Sequence, residues 1–217
     1  MNKWMNKYKE FSNFVENHYK IFFVIILALA IFLNVFKIGR IPSGLNNDEV
    51  GSTYDAYCIA NYGVDRFQNE FPVYFINYGD GQNALYTYLI AILIKIFGYY
   101  NSTIIRIPML IVSVIEVIVA FLLVNKFRSK KESLLFMLLV AISPWHIMKS
   151  RWGLESYLFS PFQLFSIYAL VSAALSERKR IFKFIISGFL FRNNFIYLCN
   201  FIYSTSNITF SNVDIFY

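Results

Sequence analysis

The chain is short of the residues that soluble proteins use most freely. Charged side chains make up only 15% of its 217 residues, against roughly 25% in an ordinary globular domain. That shortage excludes an intrinsically disordered chain, which needs high charge and low hydrophobicity. Two cysteines, Cys58 and Cys199, are too few for a disulfide framework and form no metal-ligand motif, so both read as packing residues. His146 stands alone, without the neighbouring ligands that a metal requires; no cofactor is expected, and a divalent metal is left open. No internal repeat or low-complexity segment is present.

What the chain has instead is apolar surface. Hydrophobic residues reach 57% and the mean hydropathy is +0.48. These values describe an all-α integral membrane protein, for which the bilayer sets the rules. The net charge of +7 lies in short clusters beside apolar runs, as topology signals do. No basic face interleaved with exposed aromatics accompanies it, so nucleic acid is not an expected partner.

The order of runs gives a direction. Residues 1–20 are polar and Lys-rich and read as a cytoplasmic N-terminus. The run Ile21–Phe36 follows as a first span, too long for a cleaved signal peptide and without a small-x-small cleavage site. Residues 37–103 form the long external loop. Its polar part, 37–82, carries Asp48, Glu49, Asp55, Asp65, Glu70 and Asp80 against Lys37, Arg40 and Arg66. Within the loop, Ala84–Gly98 is apolar but short. If it crossed the membrane, both KFRSKKE at 126–132 and ERKRIFK at 177–183 would lie outside. Laid along the external interface, it returns both basic clusters to the cytoplasm. Further spans then occupy 104–188: Ile104–Val124, Leu134–Ile147, Tyr157–Ala174 and a last run from Phe182. Residues 189–217 are atypical, with Asn193, Asn194, Asn200, Asn207 and Asn212 in a stretch that suits neither lipid nor a soluble fold. The tail reads as frame-shifted, and the whole as a truncated bundle expected to be inactive by itself.

Chemistry concentrates in the external loop. Asp48 and Glu49 follow the turn residues Pro42 and Gly44 and open an expected helix, Glu49 to Asn61. Simple capping of that helix is the alternative to a catalytic role. Arg106 and Arg151 are either phosphate ligands or interfacial residues that hold topology. Trp145 and Trp152 read as part of an interfacial aromatic belt. Glu116, in the middle of a span, has no account in an enzyme and favours a transporter or lipid-handling subunit.

The order P-S-G-L-N-N-D-E, D-A-Y, N-Y-G-V-D, F-P-V-Y-F, Y-G-D-G, Y-T-Y-L, F-G, R-I-P and S-P-W-H-I-M-K-S-R-W-G-L-E is distinctive. From Ile41 to Ser172 it resembles the N-terminal part of GT-C fold glycosyltransferases that use polyprenyl-phosphate sugars. The nearest types are the protein O-mannosyltransferases and the aminoarabinose and lipopolysaccharide-core transferases. The resemblance implies a multi-span GT-C-like helical bundle with interfacial helices in the external loop. It implies a polyprenyl-phosphate-linked sugar donor drawn from membrane lipid, and a protein, lipid or polysaccharide acceptor. It makes Asp48 the essential carboxylate, with Glu49 beside it and Glu155 as a second acid. Some relatives place a lysine before the Y-x-Y-L segment to hold the lipid phosphate. This chain has Gln82 and Asn83 there, which leaves Arg106, Lys149 and Arg151 as candidates for the donor phosphate.

Overall fold

A computed structural model describes residues 2–77, 80–98, 100–176 and 180–192. It is mostly helical. Helix α1 (Asn2–Asn17) leads into α2 (Tyr19–Val35) through a bend of 77°. After a turn come α3 (Asn47–Tyr62), a hairpin of β1 (Tyr74–Asn77) and β2 (Asp80–Asn83), and α4 (Ala84–Phe97). Helix α5 (Ser102–Val124) is the longest. Next are α6 (Lys130–Ile142), α7 (Pro144–Ser150), a 3-10 turn (Glu155–Leu158) and α8 (Phe159–Ala174). A further helical stretch covers 180–192.

Two single helical stretches, Ser102–Val124 and Glu155–Ala174, are long and apolar enough to cross a membrane; counting each bent pair as one span brings the number to four. The chain is therefore a helical membrane protein. Outward-facing Ile111, Ile115, Leu135 and Leu139 are exposed, as residues that meet lipid are. Helix α4 has 14 residues, about 21 Å at 1.5 Å per residue, well short of a hydrocarbon core of about 30 Å.

Three expectations are revised. The fold is not purely helical, because β1 and β2 pair antiparallel with Tyr74 opposite Asn83 and Asn77 opposite Asp80. The expected span Leu134–Ile147 is broken, since α6 and α7 meet at 58°. Pro144 explains the break: it lacks the N–H that would continue α6, and it suits the first position of a new helix. Residues 2–17 are not simply polar but form a helix. The tail from 193 and residues 177–179 of the second basic cluster lie outside the described residues.

Local chemistry sets the ends of α3 and α4. Asn46 caps α3 and forms a capping box with Glu49, which puts both acids of the pair in the first turn. Gly63 ends α3 and Gly98 ends α4, each in the left-handed conformation that glycine adopts at no steric cost. Two cores result. One joins α3, β1, α4 and the start of α5 through Ala56, Phe75, Tyr86, Ile90 and Ile105. The other joins α2, α5 and α6 through Ala30, Val117, Phe121, Met137 and Ala141.

Candidate functional site

Glu49 and Asp48 are neighbours in sequence and opposites in environment. The Glu49 side chain is buried against the first turns of α5. Arg106 donates from Nε to its Oε1 at 3.0 Å and from Nη2 to its Oε2 at 3.2 Å. The Gly153 N–H donates to Oε1 at 2.7 Å, and the Asn46 N–H to Oε2 at 3.0 Å. Four donors thus hold one carboxylate. A side chain at residue 153 would disturb this grip, because a Cβ there would stand 3.0 Å from Tyr86 Oη and 3.2 Å from Glu49 Oε1.

Arg106 is fully buried and equally committed. Beyond Glu49, it donates from Nη1 to the carbonyls of Ile38 (2.9 Å) and Pro42 (3.1 Å), and from Nη2 to that of Gly44 (2.8 Å). Its five N–H groups therefore all have protein acceptors. The guanidinium ties the 38–44 turn, the start of α3 and the start of α5 into one unit. Tyr86 closes the unit by donating to the Ile105 carbonyl at 2.8 Å. Burial pushes the Tyr86 phenol far above its usual range, with the Glu49 charge adding to the effect, so it stays a neutral donor.

Asp48 is exposed at the same helix end. Asn77, buried at the end of β1, donates from Nδ2 to Asp48 Oδ1 at 3.3 Å. The Asn77 amide oxygen in turn accepts from Arg66 Nη1 at 3.3 Å. Arg66 is locked on Asp55 through Nε (2.9 Å) and Nη2 (2.8 Å) and also reaches the Gly51 carbonyl. A chain of polar contacts therefore runs Asp55, Arg66, Asn77, Asp48. Gly51 allows it, because any Cβ there would collide with the Asn77 side chain. Sequence reasoning missed Asn77 and Arg66. The only signal was an Arg and an Asn in a polar loop, and nothing local reveals that the hairpin folds them back onto α3.

The other candidate cations differ in what remains free. The Lys149 ammonium donates to both Glu116 oxygens (3.0 and 2.7 Å) and to Ser160 Oγ at 2.6 Å. All three of its protons are engaged. Mid-span Glu116 thereby has a counter-ion, and His146 Nε2 lies 3.5 Å from it. Arg151 contrasts with both Lys149 and Arg106. Its Nη2 donates to the Leu33 carbonyl at 2.6 Å, while its buried Nε has no hydrogen-bond partner among the described residues. Partial burial lowers the Arg151 pKa from its ordinary value by desolvating the cation. Glu155 opens the 3-10 turn two residues after Gly153, and in the same segment the rings of Trp152 and Tyr157 have centroids 6.5 Å apart. No group of three or more acidic, His or Cys side chains able to hold a metal occurs among the described residues.

Comparison with curated proteins and with solved structures finds no match. The sequence profile of one family, described as dolichyl-phosphate-mannose-protein mannosyltransferase, matches residues 83–199. That segment holds Arg106, Lys149, Arg151 and Glu155 but begins after Asp48 and Glu49. It spans just over half of the 217 residues, and with the membrane-spanning helices it shows that this chain is a member of the dolichyl-phosphate-mannose-protein mannosyltransferase family.

Proposed function

We propose that the chain is the part of a membrane glycosyltransferase that transfers a sugar from a polyprenyl phosphate to an acceptor hydroxyl at the external face. The observation that carries this reading is the division of labour in the acid pair. Glu49 is immobilised by four donors, whereas Asp48 is exposed and its carboxylate accepts from the Asn77 amide. A base must be open to its substrate, and exposure of Asp48 supports that role where burial of Glu49 does not.

In this scheme Asp48 takes the proton of the acceptor hydroxyl as the oxygen forms its bond to the anomeric carbon. The bond from that carbon to the phosphate oxygen breaks, and polyprenyl phosphate leaves with the electron pair. Arg151, with donors not engaged by protein acceptors, stabilises the charge that gathers on the phosphate. Glu155 is the second carboxylate near this surface. Arg106 and Glu49 act as positioning residues rather than ligands, and Lys149 serves Glu116. The acceptor is a protein, lipid or polysaccharide hydroxyl. The competing transporter reading rested on an uncompensated Glu116, and its pairing with Lys149 and Ser160 supplies a structural role instead.

The test is transfer of radiolabelled sugar from a polyprenyl phosphate in membranes of cells that make a full-length transferase containing this chain. Asp48→Asn is expected to lower turnover by about 100- to 10,000-fold, the usual cost of losing a general base, with membrane accumulation unchanged. Arg151→Gln is expected to slow turnover with the acceptor KM unchanged. Normal transfer in Asp48→Asn would remove Asp48 from the mechanism.

A further inference from the structure

Helix α1 carries an apolar stripe that the other described elements cover only at its Val15 end. Trp4, Tyr8, Phe11 and Val15 recur at the four- and three-residue spacings of one helical face. Trp4, Tyr8 and Phe11 are 82%, 68% and 62% exposed. Asn6, Lys9, Asn13 and Asn17 occupy the opposite side. The helix is held by Lys131 Nζ donating to Ser12 Oγ at 2.7 Å, by Val15 packing against the α2–α6 core and by an edge contact of the Phe14 ring with Phe22.

Three observations identify what meets this stripe. Helix α1 turns 77° away from the apolar helix α2, so if α2 crosses the bilayer, α1 runs close to the membrane plane. An apolar groove of about 430 Å³ joins the stripe to the spans, passing from Tyr8 and Phe11 to Phe22, Ile26, Leu135 and Leu138. Its lining is apolar apart from Ser12, Lys131 and Glu132. The composition also fits a bilayer surface, where Trp and Tyr rings sit at the headgroup level and lysines lie on the polar side.

We infer that α1 is an in-plane membrane helix, with Trp4, Tyr8 and Phe11 sunk in the lipid at the end of α2 and an acyl chain entering the groove beneath them. Helix α1 holds Lys3, Lys7 and Lys9 against Glu10 and Glu16, so its side-chain charges nearly cancel and the apolar stripe rather than lipid charge drives the contact. The inference is independent of the sugar-transfer reading.

Trp4 is one of three tryptophans, and the full chain bearing Trp145→Phe and Trp152→Phe reports on it alone. In nanodiscs of zwitterionic phosphatidylcholine, acyl-chain bromines should remove most of the Trp4 emission, and aqueous iodide should remove little. Moving the reporter to the polar face (Trp4→Phe with Asn13→Trp) should reverse the two. Quenching of Trp4 by iodide and not by bromolipid would overturn the inference. So would quenching by neither, which would place the stripe against a second copy of the chain.

Discussion

Adjacent acids with different fates show how much one residue's surroundings decide. Asp48 and Glu49 both stand in the first turn of α3, yet only Glu49 points inward to Arg106. The ion pair is completely desolvated, and its charges are matched by a Gly153 N–H on one side and three backbone carbonyls on the other. Removing one partner from such a pair leaves an unpaired buried charge, at a cost of about 3–5 kcal/mol. Arg106→Lys keeps the charge but cannot supply five donors in a fixed plane. It is expected to lower the thermal unfolding midpoint in detergent markedly, and Arg106→Gln to lower it at least as much. If Arg106→Lys instead unfolds with wild-type stability and loses only donor-lipid affinity, the guanidinium is a ligand after all. Gly153→Ala should weaken the same unit more mildly, because a methyl at 3.2 Å from Glu49 Oε1 must push the carboxylate aside. The sequence announced this pair as acids at a helix start, and it offered Arg106 as a phosphate ligand. It could not announce that the two meet, because they are 57 residues apart and the contact depends on how α3 and α5 pack together.

At the scale of elements, the legible features were those governed by local rules. The apolar run from Ala84 is a helix over Ala84–Phe97, begun by the Asn83 side chain accepting from the Leu85 N–H and stopped by Gly98. Helix α3 starts two residues earlier than its acids suggested, since Asn46 is the cap. The hairpin was not legible: β1 and β2 have four residues each, and Asp, Gly, Gln and Asn are poor strand formers held there by pairing with β1. Nor was α1, whose mean composition is polar and whose stripe appears only when residues are read at helical spacing. The short α4 carries the topology argument, and cysteine labelling tests it. In a background of Cys58→Ala and Cys199→Ser, a cysteine replacing exposed Tyr54 should react in intact cells with a membrane-impermeant thiol reagent. A cysteine replacing exposed Phe127 should react only after the membrane is opened. Reaction at Phe127 in intact cells would put α4 across the bilayer and reverse every later span.

For the molecule as a whole, the buried polar cluster inside the bundle matters more than its size suggests. Glu116 on α5 binds Lys149 on α7 and Ser160 at the start of α8, so three helices share one ionic knot in a setting with little water. Helix α7 is also tied to the end of α2, through Ser150 on Asn34 and Arg151 on the Leu33 carbonyl. The C-terminal end of the broken α6–α7 segment is therefore fixed by polar contacts, in addition to the apolar packing of Met137 and Ala141 against α2 and α5; apolar packing alone cannot distinguish a helix from its lipid surroundings. Because α7 leads directly into Arg151, Gly153 and Glu155, the knot sets where these groups stand. A double-mutant cycle separates this role from a transport role. Glu116→Leu and Lys149→Met should each destabilise the protein by leaving the other charge buried, by about 3–5 kcal/mol. The double variant should recover much of that loss, since no charge is left unpaired. Unfolding in detergent, followed by circular dichroism, reads all four proteins of the cycle. Strictly additive losses would show that Glu116 and Lys149 do not act as a pair, and a stable single Glu116→Leu variant would free that carboxylate for proton or ion movement.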